Sequence, residues 1–274
     1  MNYRHGFHAG NFADVMKHAI LLQLLSVFCR EGPALTVIDT HAGAGMHDLR
    51  GGQASRTGEA AGGVAKLMTE AALAVFDPVK AAVRRANRGD EIRFYPGSPV
   101  LIADALRARD RLVACELRPD DHAALKAVLP RQAGAEALLA DGWSVAREWA
   151  RAAGRVLVLV DPPYELADDG VNAARLVRDV LSIAPAATLA IWAPIKDLAG
   201  LDALAGDVQD AASNTPVILA EARVRPLTNP MRMNGSAMIL VGAPPEILPA
   251  CDEISRWVAG NLGGEGALGR ARFL

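Results

Sequence analysis

Cysteine is scarce in this 274-residue chain, and the little there is does not pair: Cys29, Cys115 and Cys251 are odd in number, far apart, and show no C-x-x-C spacing. Free thiols so placed argue against a disulfide framework or a cysteine zinc site and point to a reducing, cytoplasmic compartment. Excess positive charge is missing too. With Lys+Arg 29 against Asp+Glu 31 the formal charge is −2, so contact with a polyanion has to come from a local patch. No apolar run has the length of a membrane span. The longest near the start, Ala19 to Phe28, is interrupted by Gln23 and Ser26 and is followed by no small-residue cleavage site, so it reads as a helix. Internal repeats and low-complexity tracts are also absent.

What is there is the alternation of one large α/β domain with a sizeable core. A helix is expected from Phe12 to Arg30, capped by Asn11, with Asp14 three residues later as in a capping box, Gly32-Pro33 as its stop, and a stripe of Val15, Leu21, Leu22, Leu25 and Phe28. The glycines of the preceding Tyr3 to Gly10 segment forbid a helix there and suggest a flexible arm. A short buried strand, Leu35 to Asp39, runs into Thr40-His41-Ala42-Gly43-Ala44-Gly45. Such a loop lets backbone approach a cofactor, but the third glycine of the dinucleotide pattern would fall at Asp48, which counts against NAD or FAD. S-adenosylmethionine has no pyrophosphate to cradle and suits the loop better, although a plain tight turn would use the same glycines.

An acid for the ribose hydroxyls should follow this loop by about 20 residues. The best candidate, Glu116, lies 116 − 39 = 77 positions after Asp39, so something is inserted. The chain therefore divides into an arm and helix (1–33), a core (34–47 and 96–274) and an inserted helical subdomain (48–95). Between Asp77 and Tyr95 the insertion holds Lys80, Arg84, Arg85, Arg88 and Arg93 against Asp77, Asp90 and Glu91, a net +2 that reads either as a polyanion contact or as a solvated helix face. Tyr95-Pro96-Gly97-Ser98-Pro99 returns to the core, with Ser98 placed as an N-cap and Pro99 at the first helical position. Ala137 to Asp141 is another strand ending in an acid, where Asp141 could accept from an adenine amino group or cap a helix, and Gly142 lets backbone pass.

The run Val156-Leu157-Val158-Leu159-Val160 reads as a strand buried on both faces, which puts Asp161-Pro162-Pro163-Tyr164 at the carboxyl edge of a parallel sheet. An acid, two prolines and an aromatic suit the handling of a planar amino group: Asp161 and the Pro162 carbonyl accept its two N–H bonds, and Tyr164 stacks on the heterocycle. The same four residues would also make a stiff turn with a capping Asp. Leu189 to Pro194 is a fifth strand. Val217 to Arg225 and Ser236 to Gly242 lack room for a crossover helix and must pair antiparallel; the tail after Asn261 gives no readable signal. The order is that of a class I methyltransferase, α/β with a mostly parallel seven-stranded sheet and an antiparallel last strand.

Taken together these segments resemble the ribosomal RNA large subunit methyltransferase J family over nearly the whole chain. The resemblance rests on Tyr3-Arg4-His5, His8-Ala9-Gly10-Asn11, Ala13-Asp14-Val15 with Lys17-His18, Asp39 to Gly45, Arg56-Thr57-Gly58-Glu59, Tyr95 to Pro99, Asp141-Gly142 and Asp161 to Tyr164. It implies a cytoplasmic, S-adenosylmethionine-dependent enzyme that methylates N6 of an adenine in 23S ribosomal RNA as a monomer, without metal or membrane. It further implies cofactor contacts at His18, His41, Ser98, Glu116, Asp141, Gly142 and Asp161, catalytic roles for Asp161, Pro162 and Tyr164, and RNA contacts at Tyr3, Arg4, His5 and Lys17. Phe12, Ala193 and Gly242-Ala243-Pro244-Pro245 depart from the family pattern, which has His, Tyr and Asn-Pro-Pro there. The competing expectations are amino-methylation of DNA adenine or protein glutamine, and a non-catalytic RNA-binding relative.

Overall fold

The computed structural model describes residues 8–51, 58–89, 91–129, 134–152, 154–166 and 168–274. Tyr3, Arg4, His5, Arg56 and Thr57 lie outside the described residues. Five strands, β1 (Thr36–Asp39), β4 (Arg111–Glu116), β5 (Ala135–Leu139), β6 (Val156–Val160) and β7 (Thr188–Ile195), run parallel in the order β7-β6-β1-β4-β5. β8 (Val217–Arg223) and β9 (Gly235–Val241) form the expected hairpin, and β9 pairs antiparallel with β7. The sheet has eight strands where seven were expected. The eighth, β10 (Leu268–Phe273), lies in the tail and pairs antiparallel with β8, from Leu268 opposite Arg223 to Phe273 opposite Ile218.

Helices cover both faces. On one lie α1 (Phe12–Arg30), α2 (Val64–Thr69), α3 (Asp77–Ala86), α4 (Ser98–Ala105), α5 (Pro119–Val128) and α9 (Leu248–Leu262); on the other lie α6 (Gly142–Ala152), α7 (Asp169–Ile183) and α8 (Leu198–Ala212). The period of two in a strand divides β6 between the layers: Leu157 and Leu159 join the first core, while Val156, Val158 and Val160 join the second. That double burial is why β6 is apolar at every position.

α1 runs over the expected residues, and Asn11 Oδ1 accepts from the N–H of Ala13 and Asp14 as its cap. Its apolar stripe is wider than expected. Fourteen of its residues are buried, among them Asp14, Lys17 and His18, because α4, α9 and the inserted segment enclose it on several sides. By length and composition α1 could cross a membrane, yet 78% of its apolar window is buried inside this fold. The ends of the 48–95 segment meet where β2 (Met46–Asp48) pairs antiparallel with β3 (Phe94–Pro96), and Leu67, Phe76, Val79 and Val83 of that segment share the core of α1.

Candidate active site

The loops that leave the carboxyl ends of β1, β4, β6 and β7 converge with the first turns of α1 on one cavity of about 250 Å³. Its walls include Lys17 and His18 from α1, His41 and Gly43 after β1, Glu116 ending β4, Asp161 to Tyr164 after β6, and Trp192, Pro194 and Lys196 on and after β7. Parallel strands place these groups at one edge because each strand delivers its last residue to the same side of the sheet.

At the centre is an ion cluster that joins distant parts of the chain. Lys17 Nζ lies 2.5 Å from Asp161 Oδ2 and 3.0 Å from Asp14 Oδ1, with 3% of the Lys17 side chain and 11% of Asp161 exposed. Burial disfavours the ammonium charge, but the carboxylates of Asp14 and Asp161 outweigh it and raise the Lys17 pKa. Lys17 is therefore a fixed internal cation, also 5.6 Å from the Trp192 ring centre, and not a side chain on an open surface. Asp39 is fully buried, accepts from Ser98 Oγ at 2.7 Å and from the His41 N–H at 3.3 Å, and has its pKa pushed up to about 7, mainly by burial, with Asp161 adding to it.

Ser98 is the first residue of α4, and its hydroxyl is spent on Asp39 in place of the expected cap; Gly97 takes the cap position. Backbone N–H groups converge on Glu116: Gly43 donates to Oε2 at 3.0 Å and Arg118 to Oε1 at 2.7 Å. Burial raises the Glu116 pKa against these bonds. His18 Nδ1 is hydrogen bonded to Tyr95 Oη at 2.7 Å with the rings stacked. Thr40 gives its one hydroxyl proton to the Leu159 carbonyl, so His41 Nδ1, 2.7 Å from Thr40 Oγ1, must donate. Burial lowers the His41 pKa to about 4, so the ring is neutral at pH 7 and its Nε2 is an acceptor.

Tyr164 sits in the left-handed region at φ 50, a conformation costly for a residue with a side chain. Its hydroxyl donates to the Trp192 carbonyl at 2.7 Å, and the two rings meet edge to face at 5.8 Å. Asp141 is not in the cavity wall. Both of its oxygens cap α6, accepting from the N–H groups of Trp143 and Ser144 and from Ser144 Oγ. Gly142 is in the wall, and a Cβ there would stand 2.0 Å from the Thr40 carbonyl oxygen, so backbone contact alone demands glycine.

Several wall residues were not picked out by sequence as site residues: His8, Asn11, Trp192, Lys196 and Met233; Asp39, fully buried, is not in the wall but is bonded to Ser98, which is. His8 Nδ1 lies 3.0 Å from Glu59 Oε2, and Asn11 Nδ2 donates to the same oxygen, which ties the arm to the inserted segment. His8 is thus pinned at this point of the expected flexible arm. The only sequence signal for this contact was that both residues fall within the motifs quoted above.

A family model described as Ribosomal RNA large subunit methyltransferase D, RlmJ, matches residues 32–272. The protein called Ribosomal RNA large subunit methyltransferase J in Escherichia coli (strain K12) is 29% identical over 264 residues, covering 96% of this chain and 94% of that one. Its namesake in Haemophilus influenzae is 29% identical over 276 residues, covering 97% and 95%. The crystal structure of a protein from Legionella pneumophila superposes with a TM-score of 0.87 at 24% identity over 97% of this chain and 98% of that one, a likeness of fold.

Proposed function

The chain belongs to the ribosomal RNA large subunit methyltransferase family RlmJ, and on that premise we propose that it transfers a methyl group from S-adenosylmethionine to the exocyclic N6 of an adenine in 23S ribosomal RNA. The observation that carries the reading is the Asp161 carboxylate on the cavity wall, fixed by Lys17 and followed by Pro162, Pro163 and Tyr164. The donor set suits the cofactor: Glu116, Asp161 and neutral His41 are acceptors in the cavity wall, and the ligand has an ammonium, ribose hydroxyls and a sulfonium. When bound, S-adenosylmethionine supplies the methyl group on its positively charged sulfur.

Adenine N6 is a poor nucleophile because its lone pair is delocalised into the ring. Lys17 occupies Asp161 Oδ2, so Oδ1 is the oxygen offered to one amino hydrogen, while the Pro162 carbonyl is the partner for the other. Holding both hydrogens orients the nitrogen, and positioning of this kind can supply much of an enzyme's acceleration. The amino proton is then lost toward Asp161 as the N–C bond forms. Tyr164, anchored through its hydroxyl, offers its ring to the base, a contact worth about 1–3 kcal/mol. Glu116 is the acceptor for ribose hydroxyls, and His18, His41 and Ser98 hold the walls around the cofactor. Tyr3, Arg4 and His5 remain proposed RNA contacts. A monomer remains our working unit, and a ribosomal RNA substrate would place it in the cytoplasm.

Nucleoside mass spectrometry tests this on protein-free 23S RNA from a strain lacking the gene, incubated with S-adenosylmethionine and either the wild type or Asp161→Ala. We expect new N6-methyladenosine with the wild type and a rate lower by at least about 100-fold with the variant. Folded, cofactor-binding wild type that transfers no methyl to this RNA would reject the naked-RNA reading, and a methyl found on another nucleoside would reject N6 of adenine.

A further inference from the structure

Between β8 and β9 the chain turns through residues 224–234, and near the tip of that turn stands Met231, 88% exposed, the most exposed large apolar side chain among the described residues. It is held there by a built turn. The Met231 N–H donates to Asn229 Oδ1 at 3.0 Å and the Arg232 N–H to the Asn229 carbonyl at 3.2 Å. Asn234, 2% exposed, locks the base of the turn: its side-chain amide donates to the carbonyls of Asn229 at 2.8 Å and Lys196 at 2.7 Å, and its backbone N–H to Ile195 at 2.7 Å.

The tip also has an address. Met233, two residues on, is part of the cavity wall, as are Pro194 and Lys196 of the strand end to which Asn234 is bonded. The turn therefore carries an apolar side chain next to the exposed Arg232, its base is bonded to the strand end that bears the exposed Lys196, and the 224–234 segment has Arg225 and Arg232 but no acid. Asp161 is only 11% exposed, so a base in structured RNA reaches it only by leaving its stack. The vacated step must then be filled or closed. Methionine is unbranched, polarizable and able to slide between bases, and apolar side chains are used as wedges in this way.

We propose that Met231 is a wedge that enters the RNA stack where the target adenine leaves it, with Lys196 and Arg232 on the flanking phosphates. This rests on the adenine-methylating reading above and adds to it how the base is extracted. The probe is a hairpin of 23S sequence containing the methylated adenine, located by mass spectrometry of ribonuclease fragments of the modified RNA, made once unmodified and once with 2-aminopurine at that position, whose fluorescence rises on unstacking. At protein concentrations that saturate binding by anisotropy, the wild type and Met231→Leu raise the fluorescence and Met231→Gln does not. On the unmodified hairpin the single-turnover methylation rate of Met231→Gln falls about tenfold or more, while on a short linear RNA of the same sequence it stays within about twofold of the wild type. A Met231→Gln protein that unstacks the probe and methylates the hairpin like the wild type overturns the wedge and leaves the adenine reading intact. So does a variant equally impaired on hairpin and linear RNA. A 23S RNA in which no adenine is methylated at the locating step overturns the adenine reading, and the wedge with it.

Discussion

Asp39 and Asp161 end neighbouring strands, yet the fold treats their charges in opposite ways. Asp161 has the Lys17 ammonium at 2.5 Å, whereas Asp39, fully buried, has only a hydroxyl and a distant N–H, and burial pushes its pKa up to about 7. An acid whose pKa is raised on folding makes the folded state bind more protons than the unfolded one between the two values. Its contribution to stability is whole below pH 3.8 and is lost as the pH climbs from there through about 7, at most about 4 kcal/mol in all. His41 works the other way below pH 6.5, because its lowered pKa costs stability as the pH falls toward about 4. The comparison of Asp39→Asn with the wild type cancels that term. We expect urea midpoints at pH 5, 6, 7 and 8 to show the variant gaining on the wild type as the pH rises; a constant gap across the series would mean that Asp39 is ionised in the folded protein throughout. This residue was legible as the end of a strand but not as an unpaired carboxylate, because its partner Ser98 lies 59 positions away and read locally as a helix cap. Lys17 was hidden for the same reason: a lone lysine on a helix reads as solvated, and its bridge to Asp161 spans 144 positions.

Elements were easier to read than partners. The ends of α1, the double burial of β6 and the β8–β9 hairpin all follow from short-range pattern: a cap and a Gly-Pro stop, an unbroken branched apolar run, and two strands too close in sequence for a crossover. β10 could not be read that way. Its residues alternate in no clear apolar pattern and are mostly half-buried, and what makes them a strand is the free edge of β8, which exists only once the sheet has formed. Glycines show the same division between local and tertiary causes. Gly43 has φ +62 and nothing within 4 Å of an added Cβ, whereas a Cβ on Gly142 would stand 2.0 Å from the Thr40 carbonyl oxygen and force α6 off the β1 loop. Gly43→Ala should cost only about 1–2 kcal/mol of backbone strain but weaken S-adenosylmethionine binding about tenfold or more, since Gly43 is in the cavity wall. Gly142→Ala should cost about 3 kcal/mol or more by thermal denaturation. Calorimetric titration beside the melting curves separates the two; equal stability losses would mean that the packing at Gly142 relaxes freely.

On the scale of the whole molecule, a chain of net charge −2 has to meet a polyanion with a few local cations. Such cations are Lys196 in the cavity wall and, on the 224–234 turn, the exposed Arg232 and the Arg225 half-buried against the Phe12 ring. Each phosphate neutralised by a cation releases counterions, and for single-stranded nucleic acid the slope of log K against log salt is about −0.7 per contact. Three contacts therefore predict a slope of about −2, shallow beside that of proteins with a broad basic face. Fluorescence anisotropy of a labelled 23S hairpin between 50 and 300 mM salt, about the range in which such slopes are read, measures it directly. Lys196→Gln and Arg232→Gln should each bring the slope about 0.7 nearer to zero, and Arg232→Gln, outside the cavity wall, should leave S-adenosylmethionine affinity unchanged. A slope several times steeper would place the main phosphate contacts elsewhere, on the amino-terminal Arg4 or on the arginines of the inserted segment. The acidic balance has a consequence for selectivity as well: with little non-specific attraction to hold it, the enzyme would dwell on RNA only where a base can leave its stack and seat against Asp161.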